Sequence, residues 1–417
     1  MPEYKKRLID SVLERKLESS GGVVLRGPRA VGKTTTALRH AKSSVRLDES
    51  EQIINQAKLA PKSLLAGDVP RLIDEWQLVP SIWNTIRTEI DLRSDPGQFI
   101  LTGSSAPNDD QTRHTGAGRF ARITLRPMSL FESGDSTGEV SLSQLFTGSP
   151  IDGAFGGLTV EDYAGRIVRG GWPALISRSP EAASDALIDY LDNIASVDLR
   201  TLEQPPDPMR ITALLRALAR NTSTEASLEK LAKEAELYDE NITTKTIRKY
   251  LDQLTRVFVL EELPAWGSHI QSSIRMRVKP KWHFACPSLA CAALHTSSAA
   301  LLDDLAAMGL LFESLAIRDV RVYAGVAGAN VFHYRDSTNL EVDMIVERFD
   351  GAWLAIEVKL GGADAIEEAV ANFTLLKKRL SPNKLEMLKA CVVLTAGNTS
   401  YTRADGVVIV SLGHLTS

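Results

Sequence analysis

The segment that most constrains this chain runs from Val23 to Lys42: an apolar stretch, Val23-Val24-Leu25, then Gly27-Pro28-Arg29-Ala30-Val31-Gly32-Lys33-Thr34, then a helix-forming stretch, Thr34–Lys42. A strand that enters a glycine-bearing turn and leaves as a helix is the opening of a βαβ unit, and such units build parallel sheets. Arg71–Ile73 running into Asp74 and Glu75, and Phe99–Leu101 running into Thr102, Gly103, Ser104 and Ser105, supply further short apolar strands. A helical pattern over Ser81–Leu92 lies between them. The expectation is a parallel α/β domain with its loops gathered at one edge.

Two glycines with four residues between them, followed by Lys-Thr, match the spacing of a phosphate-binding loop. Backbone N–H groups of Gly27, Pro28, Arg29, Ala30, Val31 and Gly32, proline excepted, can approach phosphate oxygens, and the helix N-terminus through Thr34 and Thr35 adds a favourable dipole. Lys33 neutralises the β and γ oxygens, and the Thr34 hydroxyl is a ligand for the bridging Mg2+. ATP and Mg2+ are therefore the expected cofactors. Asp74 ends the second strand as the magnesium-positioning carboxylate, and Glu75 is expected to orient and polarise the attacking water. Thr102 or Ser104 is placed to sense the γ-phosphate, with ordinary turn chemistry the alternative for either. Arg119, with Arg122 beside it, is the candidate transition-state arginine, in its own site or across a subunit interface.

At 417 residues the chain exceeds one ordinary core, so several domains are expected. A net charge of -4 argues against a globally cationic nucleic-acid or membrane binder. The odd count of three cysteines, Cys286, Cys291 and Cys391, fits neither a disulfide framework nor a zinc cluster. With no secretory leader pattern in the first 20 residues and no apolar run near membrane length, the expected location is cytoplasmic, with no membrane partner.

The order of the motifs resembles an AAA-superfamily group of prokaryotic ATPases, similar to the archaeal-type ATPases: Gly-Pro-Arg-Ala-Val-Gly-Lys-Thr, Ile-Asp-Glu-Trp-Gln, Leu-Thr-Gly-Ser-Ser, Gly-Arg and Leu-Arg-Pro-Met-Ser-Leu-Phe-Glu. That resemblance implies an ATPase domain followed by a C-terminal domain of unknown function, which Gly170-Gly171-Trp172-Pro173 and the strands over Val331–Lys359 also resemble.

Beyond the ATPase domain, glycines from Gly134 to Gly157 mark a loop or insertion, and Glu161 to about Ala265 reads as mostly helical. Helices from Leu228 and Thr243 followed by a strand over Val257–Leu260 resemble a winged helix, with Lys245, Arg248 and Lys249 on its second helix. Seven acidic residues nearby make a protein contact as good a reading as DNA. Arg275, Arg277, Lys279 and Lys281 read either as a basic run or as alternating charges on an exposed strand.

Strands Val331–Arg335, Leu340–Glu347 and Ala352–Lys359 form a meander. Period two puts Glu357 and Lys359 on one face, with Asp343 on the preceding strand and Glu313 on the helix before. Helix Glu, strand Asp and Glu-x-Lys resemble the restriction-endonuclease-like core, which implies Glu313, Asp343 and Glu357 as metal ligands and Lys359 as the lysine of a nuclease site. The alternative is a meander whose wet face carries charges.

The reading is thus an α/β protein divided as 1–135 P-loop NTPase, 136–210 linker and helical segment, 211–265 winged-helix-like segment and 266–417 nuclease-like α/β domain. Its expected function is an ATPase whose nucleotide state controls a C-terminal nucleic-acid-binding or nuclease-like module. The alternative is a nucleotide-switched regulatory protein with an inactive nuclease-like domain. DNA or another nucleic acid, a protein, and a second copy of the chain are the candidate partners.

Overall fold

The computed structural model describes residues 4–103, 116–201, 206–236, 242–267 and 279–417, which fall into two compact units. The first ends at Pro127 and also takes Arg256–Phe258; the second holds the remainder from Met128.

The first unit is built on five strands, β1 (Gly22–Arg26), β2 (Ser43–Arg46), β3 (Arg71–Asp74), β4 (Phe99–Gly103) and β5 (Phe120–Thr124), in the order β2-β3-β4-β1-β5. Every pairing is parallel, as the βαβ pattern requires. The central strands β1 and β4 are buried almost throughout, which is why they read as continuous apolar runs rather than alternating ones. Trp76, Trp83, Ile86, Ile90 and Phe99 pack against Val24, Ile73 and Leu101 on one face of the sheet. Burying each of these large side chains contributes roughly 1.5–3 kcal/mol, so the sheet edge that carries the loops is rigidly held.

The second unit departs from the expected divisions. Residues 136–158 are not a free linker: β6 (Val140–Ser141) and β7 (Ala154–Phe155) belong to it. The backbone N–H of Leu130 donates to Asp319 at 2.9 Å, and the Ser136 hydroxyl donates to the Leu415 carbonyl at 2.8 Å. The first boundary therefore lies at Pro127, eight residues before the expected 135, because Met128 onward makes its hydrogen bonds within the second unit. Glycine content marks tight turns here, and two-residue strands are too short to show a period.

A helical stretch follows, including Val160–Arg169 and Pro180–Ser196. Then come three helices, Pro208–Arg220, Leu228–Glu236 and Thr244–Arg256, and an antiparallel pair, β8 (Leu260–Leu263) with β9 (Lys281–Phe284). The long helix Leu305–Ala327 leads into a meander of β10 (Ala329–Arg335), β11 (Glu341–Arg348) and β12 (Trp353–Lys359). Helix Ala363–Arg379 crosses over to β13 (Leu388–Thr395), which lies parallel to β12. With β14 (Thr399–Thr402) and β15 (Val408–Ser411) the sheet reads β10-β11-β12-β13-β15-β14-β7. Ile345, Trp353 and Ala355 face Ala369, Phe373 and Leu376 of the crossover helix, so the odd-numbered face of β11 and β12 is the face that helix covers. Among the described residues no helix is long and apolar enough to cross a membrane.

Candidate nucleotide site and carboxylate cavity

Parallel pairing brings the ends of β1, β3 and β4 to one edge. Arg26, just before the loop, is level with Gly103, and Asp74 is level with Thr102. Gly27 and Gly32 hold φ values of 151° and 98°. A Cβ on Gly27 would stand 2.1 Å from the Leu125 carbonyl oxygen, so no side chain fits there. Pro28 is buried, Arg29, Ala30 and Thr35 are exposed, and Val31 points into the core.

Lys33 is 6% exposed and donates to the carbonyls of Gly27 at 3.0 Å and Pro28 at 2.7 Å. Burial pushes its ammonium down to about 8 from an ordinary 10.5, against the pull of Glu75 and Asp74, which raise it. The Thr34 hydroxyl donates to Asp74 Oδ1 at 3.0 Å, and Thr102 donates to the same oxygen. A hydroxyl and a carboxylate at the end of a phosphate-binding loop are the donor set that Mg2+ takes together with phosphate oxygens and water, so the residues fit that ion.

Thr102 thus spends its hydroxyl on Asp74 and orients it. Ser104, the other candidate sensor, lies outside the described residues. Arg46 of β2 reaches Asp74 Oδ2 at 3.7 Å, a contact that Ser43-Ser44-Val45-Arg46 gave no reason to expect. Arg7 is buried and clamps the carbonyls of Val31 at 3.1 Å and Arg126 at 2.7 Å, tying the N-terminal segment to the loop. In the sequence it is one of three successive cations, Lys5-Lys6-Arg7, ahead of helix Ile9–Ser19, and nothing local singles it out. Glu75 has φ 53° and receives the amide of Gln77 on Oε2.

Arg119, the expected transition-state arginine, lies elsewhere. It immediately precedes β5, whose first residue is level with Gly22, so it sits at the amino end of the sheet, opposite the loop edge. There it forms an exposed ion pair with Asp91 at 2.8 Å. Strand polarity excludes it from the site of its own chain.

In the second unit the antiparallel register Met344↔Ile356 carries Asp343 opposite Glu357. Asp343, Glu357 and Lys359 line a cavity of about 460 Å³ with Glu341, Glu368 and Asn372. Lys359 lies 3.4 Å from Glu357, Asn372 donates to Glu357 at 3.3 Å, and Asp343 Oδ2 accepts from the Val358 N–H at 2.8 Å. Burial, and then Asp343, push the Glu357 carboxyl well above its ordinary range, with Lys359 opposing. Lys359 is held raised by Glu357 and Asp343 although burial works against its charge.

Glu313 does not join them. It is held by Lys281 of β9 at 3.2 Å, and Lys281 also pairs with Glu341 at 2.6 Å. Burial and Asp343 push Glu313 up to about 8, whereas Lys281 keeps Glu341 below the ordinary range despite its burial. Lys281 thus bridges two carboxylates and stands closer to Glu341 than to Glu313. Lys281, 2% exposed, is not on an exposed strand face. Among the described residues no three His, Cys, Asp or Glu side chains are gathered to hold a metal ion, so the expected trio of Glu313, Asp343 and Glu357 is not assembled. Lys245 and Arg248 are exposed on helix Thr244–Arg256, with Lys249 half-buried. Arg275 and Arg277 lie outside the described residues.

Residues 19–133 match the AAA domain, residues 160–300 a domain of unknown function (DUF8612) and residues 308–415 another (DUF4143). Uncharacterized proteins of Mycobacterium tuberculosis and Mycobacterium bovis are each 26% identical over 369 residues, which is 86% of this chain and 74% of theirs. The Walker-type ATPase PABY2304 of Pyrococcus abyssi is 15% identical, covering 70% of this chain and 96% of its own, with a TM-score of 0.42.

Proposed function

Starting from residues 19–133 as the AAA domain of a prokaryotic AAA-type ATPase that carries a C-terminal domain of unknown function, we propose that the chain hydrolyses ATP with Mg2+ and that nucleotide state controls the C-terminal module. The observation that carries this is the convergence on Asp74 of Thr34, Thr102 and, at 3.7 Å, Arg46, beside a loop whose lysine is buried. Backbone N–H groups of the loop bind the phosphates. Lys33 exchanges the Gly27 and Pro28 carbonyls for phosphate oxygens, so its ammonium regains the anionic partners that burial demands. Thr34 and Asp74 are the groups that would hold Mg2+, which when bound neutralises phosphate charge. Glu75 orients water and takes its proton.

Replacing Glu75 by Gln preserves shape but removes the proton acceptor. Hydrolysis is expected to fall by about 10²–10⁴-fold with ATP affinity unchanged, checked by phosphate release and calorimetry. Loss of affinity in step with rate would remove Glu75 from this role.

For the module, the order of helix Leu305–Ala327, the meander, the crossover helix and parallel β13 supports a restriction-endonuclease-like reading. Asp343 and Glu357 then bind Mg2+ or Mn2+ with water and phosphate oxygens, because Mg2+ is often held through one or two carboxylates only. The three helices and the β8–β9 hairpin support a winged helix, with Lys245 and Arg248 on phosphates of a duplex. The second reading, a regulatory protein without nuclease chemistry, is favoured by one observation: Lys281 already supplies a cation beside Glu313 and Glu341. Purified protein with Mn2+ is expected to cleave DNA or RNA and to melt several degrees higher than without metal, and Asp343→Ala to lose both. A metal response unchanged by Asp343→Ala, with no cleavage, would establish the regulatory reading.

A further inference from the structure

Glu75 is the last residue before the 3-10 turn Trp76–Leu78, and its backbone is left-handed, with φ 53°. The Leu78 N–H closes that turn on the Glu75 carbonyl at 3.0 Å. The turn brings the Gln77 side chain back onto Glu75, where its amide nitrogen donates to Oε2. The orientation of the amide follows from charge: reversing it would set its oxygen against a carboxylate oxygen, two acceptors with no proton between them. The Gln77 oxygen is therefore the amide atom turned from Oε2. It is buried and has no hydrogen-bond partner among the described residues.

That oxygen sits against Gly103, where an added Cβ would be 2.3 Å from it. Gly103 follows Thr102, which donates to Asp74, and is level with Arg26, which leads into the phosphate-binding loop. The orphan acceptor thus lies at the loop edge, between the water-orienting carboxylate and the strand end that orients Asp74. A buried acceptor without a donor carries an uncompensated desolvation cost, which a ligand hydrogen would recover.

We propose that Gln77 is a positioning residue for the attacking water, acting together with Glu75; this rests on the hydrolase reading above. Gln77 occupies Glu75 Oε2 and leaves Oε1 to accept one water hydrogen, while the Gln77 oxygen accepts the other. Two fixed acceptors leave a water lone pair directed away from them, toward phosphorus. The water oxygen bonds to the γ-phosphorus as the bond from phosphorus to the β,γ-bridging oxygen breaks. The bond pair leaves on ADP, and the water proton passes to Glu75 and then to solvent. Gly103 is the small residue that makes room for the amide, so the pair Gln77 and Gly103 is one arrangement rather than two coincidences.

The test compares the full-length wild type with Glu75→Gln, Gln77→Ala, Gln77→Asn and Gln77→Glu, using MgATP throughout. Gln77→Ala is expected to lower kcat about 10- to 100-fold with KM and the ATP Kd within about threefold, because its contact is made to the attacking water and not to the nucleotide. Gln77→Asn keeps the amide but not its reach and should behave like Gln77→Ala. Gln77→Glu, nearly isosteric and so able to fold where the smaller variants fail, sets a second carboxylate against Glu75. It should move the acidic limb of the kcat–pH profile upward by about one unit or more. A merely structural Gln77 would lower the melting temperature and leave that limb in place. Wild-type kcat in Gln77→Ala, or a Gln77→Glu pH profile that overlays the wild type, overturns the proposal while the hydrolase reading stands. Equal inactivity of wild type and Glu75→Gln overturns both.

Discussion

Lys33→Met is expected to abolish tight ATP binding and, in the same protein, to raise the stability of the nucleotide-free first unit. The ammonium is 6% exposed, and burial holds it at about 8, down from 10.5. At about 1.36 kcal/mol for each pKa unit, keeping it charged at pH 7 costs the folded state about 3 kcal/mol. Methionine removes that cost and retains the apolar stem. It also forfeits the hydrogen bonds to Gly27 and Pro28, at about 1 kcal/mol each. The net gain is about 1–2 kcal/mol, several degrees in melting temperature for a unit of this size.

The sign with pH is fixed by the depressed value. Between about 8 and 10.5 the unfolded lysine binds a proton that the folded one has shed. Wild-type stability therefore rises with pH across that window, and the Lys33→Met variant lacks the rise. Removing the cation that faces the β and γ phosphates should cost about 2–5 kcal/mol of binding, enough to lose ATP at ordinary concentrations. Calorimetric unfolding at pH 7 and 10 and ATP titration check all three outcomes. A variant that melts lower than wild type with an unchanged pH slope would mean that Lys33 stabilises the empty loop.

What could be read from sequence follows from how local each signal is. The strand, loop and helix around Gly27–Thr34 and the end of β3 at Asp74 were legible because both are written in contiguous residues with a period. Asp343 opposite Glu357 was legible as a possibility, since alternation fixes a face once the register is known. Arg119 was not, because a Gly-Arg pair shows nothing of which end of a parallel strand it occupies, and the register puts it level with Gly21. Residues 136–158 misled through composition: their glycines make turns between strands of two residues.

The buried pairing of Lys281 was not legible in the sequence, and the reason is general. A charge that alternates with apolar residues on a short strand looks the same whether it meets water or a buried carboxylate. The partners, Glu313 and Glu341, are 32 and 60 positions further along the sequence. Gln77 was hidden differently: it stands within Ile-Asp-Glu-Trp-Gln, but only the 3-10 turn shows that its side chain returns to Glu75.

Lys281→Met therefore makes the second large prediction. Lys281 is 2% exposed and is bound to Glu341 at 2.6 Å and Glu313 at 3.2 Å, with Asp343 adding to the field. Removing one partner of a buried pair strands the other. The full penalty is about 3–5 kcal/mol, and because a third of the Glu341 side chain is exposed, about 2–4 kcal/mol is expected. The pH dependence identifies the cause. In the wild type Lys281 holds Glu341 below 4.5 against the effect of burial, so this pair contributes stability above 4.5 that is lost as pH falls through the lowered value. Without the cation, burial raises Glu341 with only Arg335 and His333 opposing, and the sign reverses: the variant recovers stability on acidification toward 5 as Glu341 takes a proton. In the wild type Glu313, up at about 8, already disfavours the folded state as pH rises from 4.5 toward that value, and losing Lys281, which holds it down, adds to that loss in the variant. The gap between wild type and variant should be widest near pH 8 and shrink by half or more at pH 5, measured by denaturant unfolding at the two values. Lys281→Arg, which keeps the charge, should close most of the gap at both. A Met variant destabilised equally at pH 5 and 8 would mean that the lysine stem, through its packing, matters here rather than its charge.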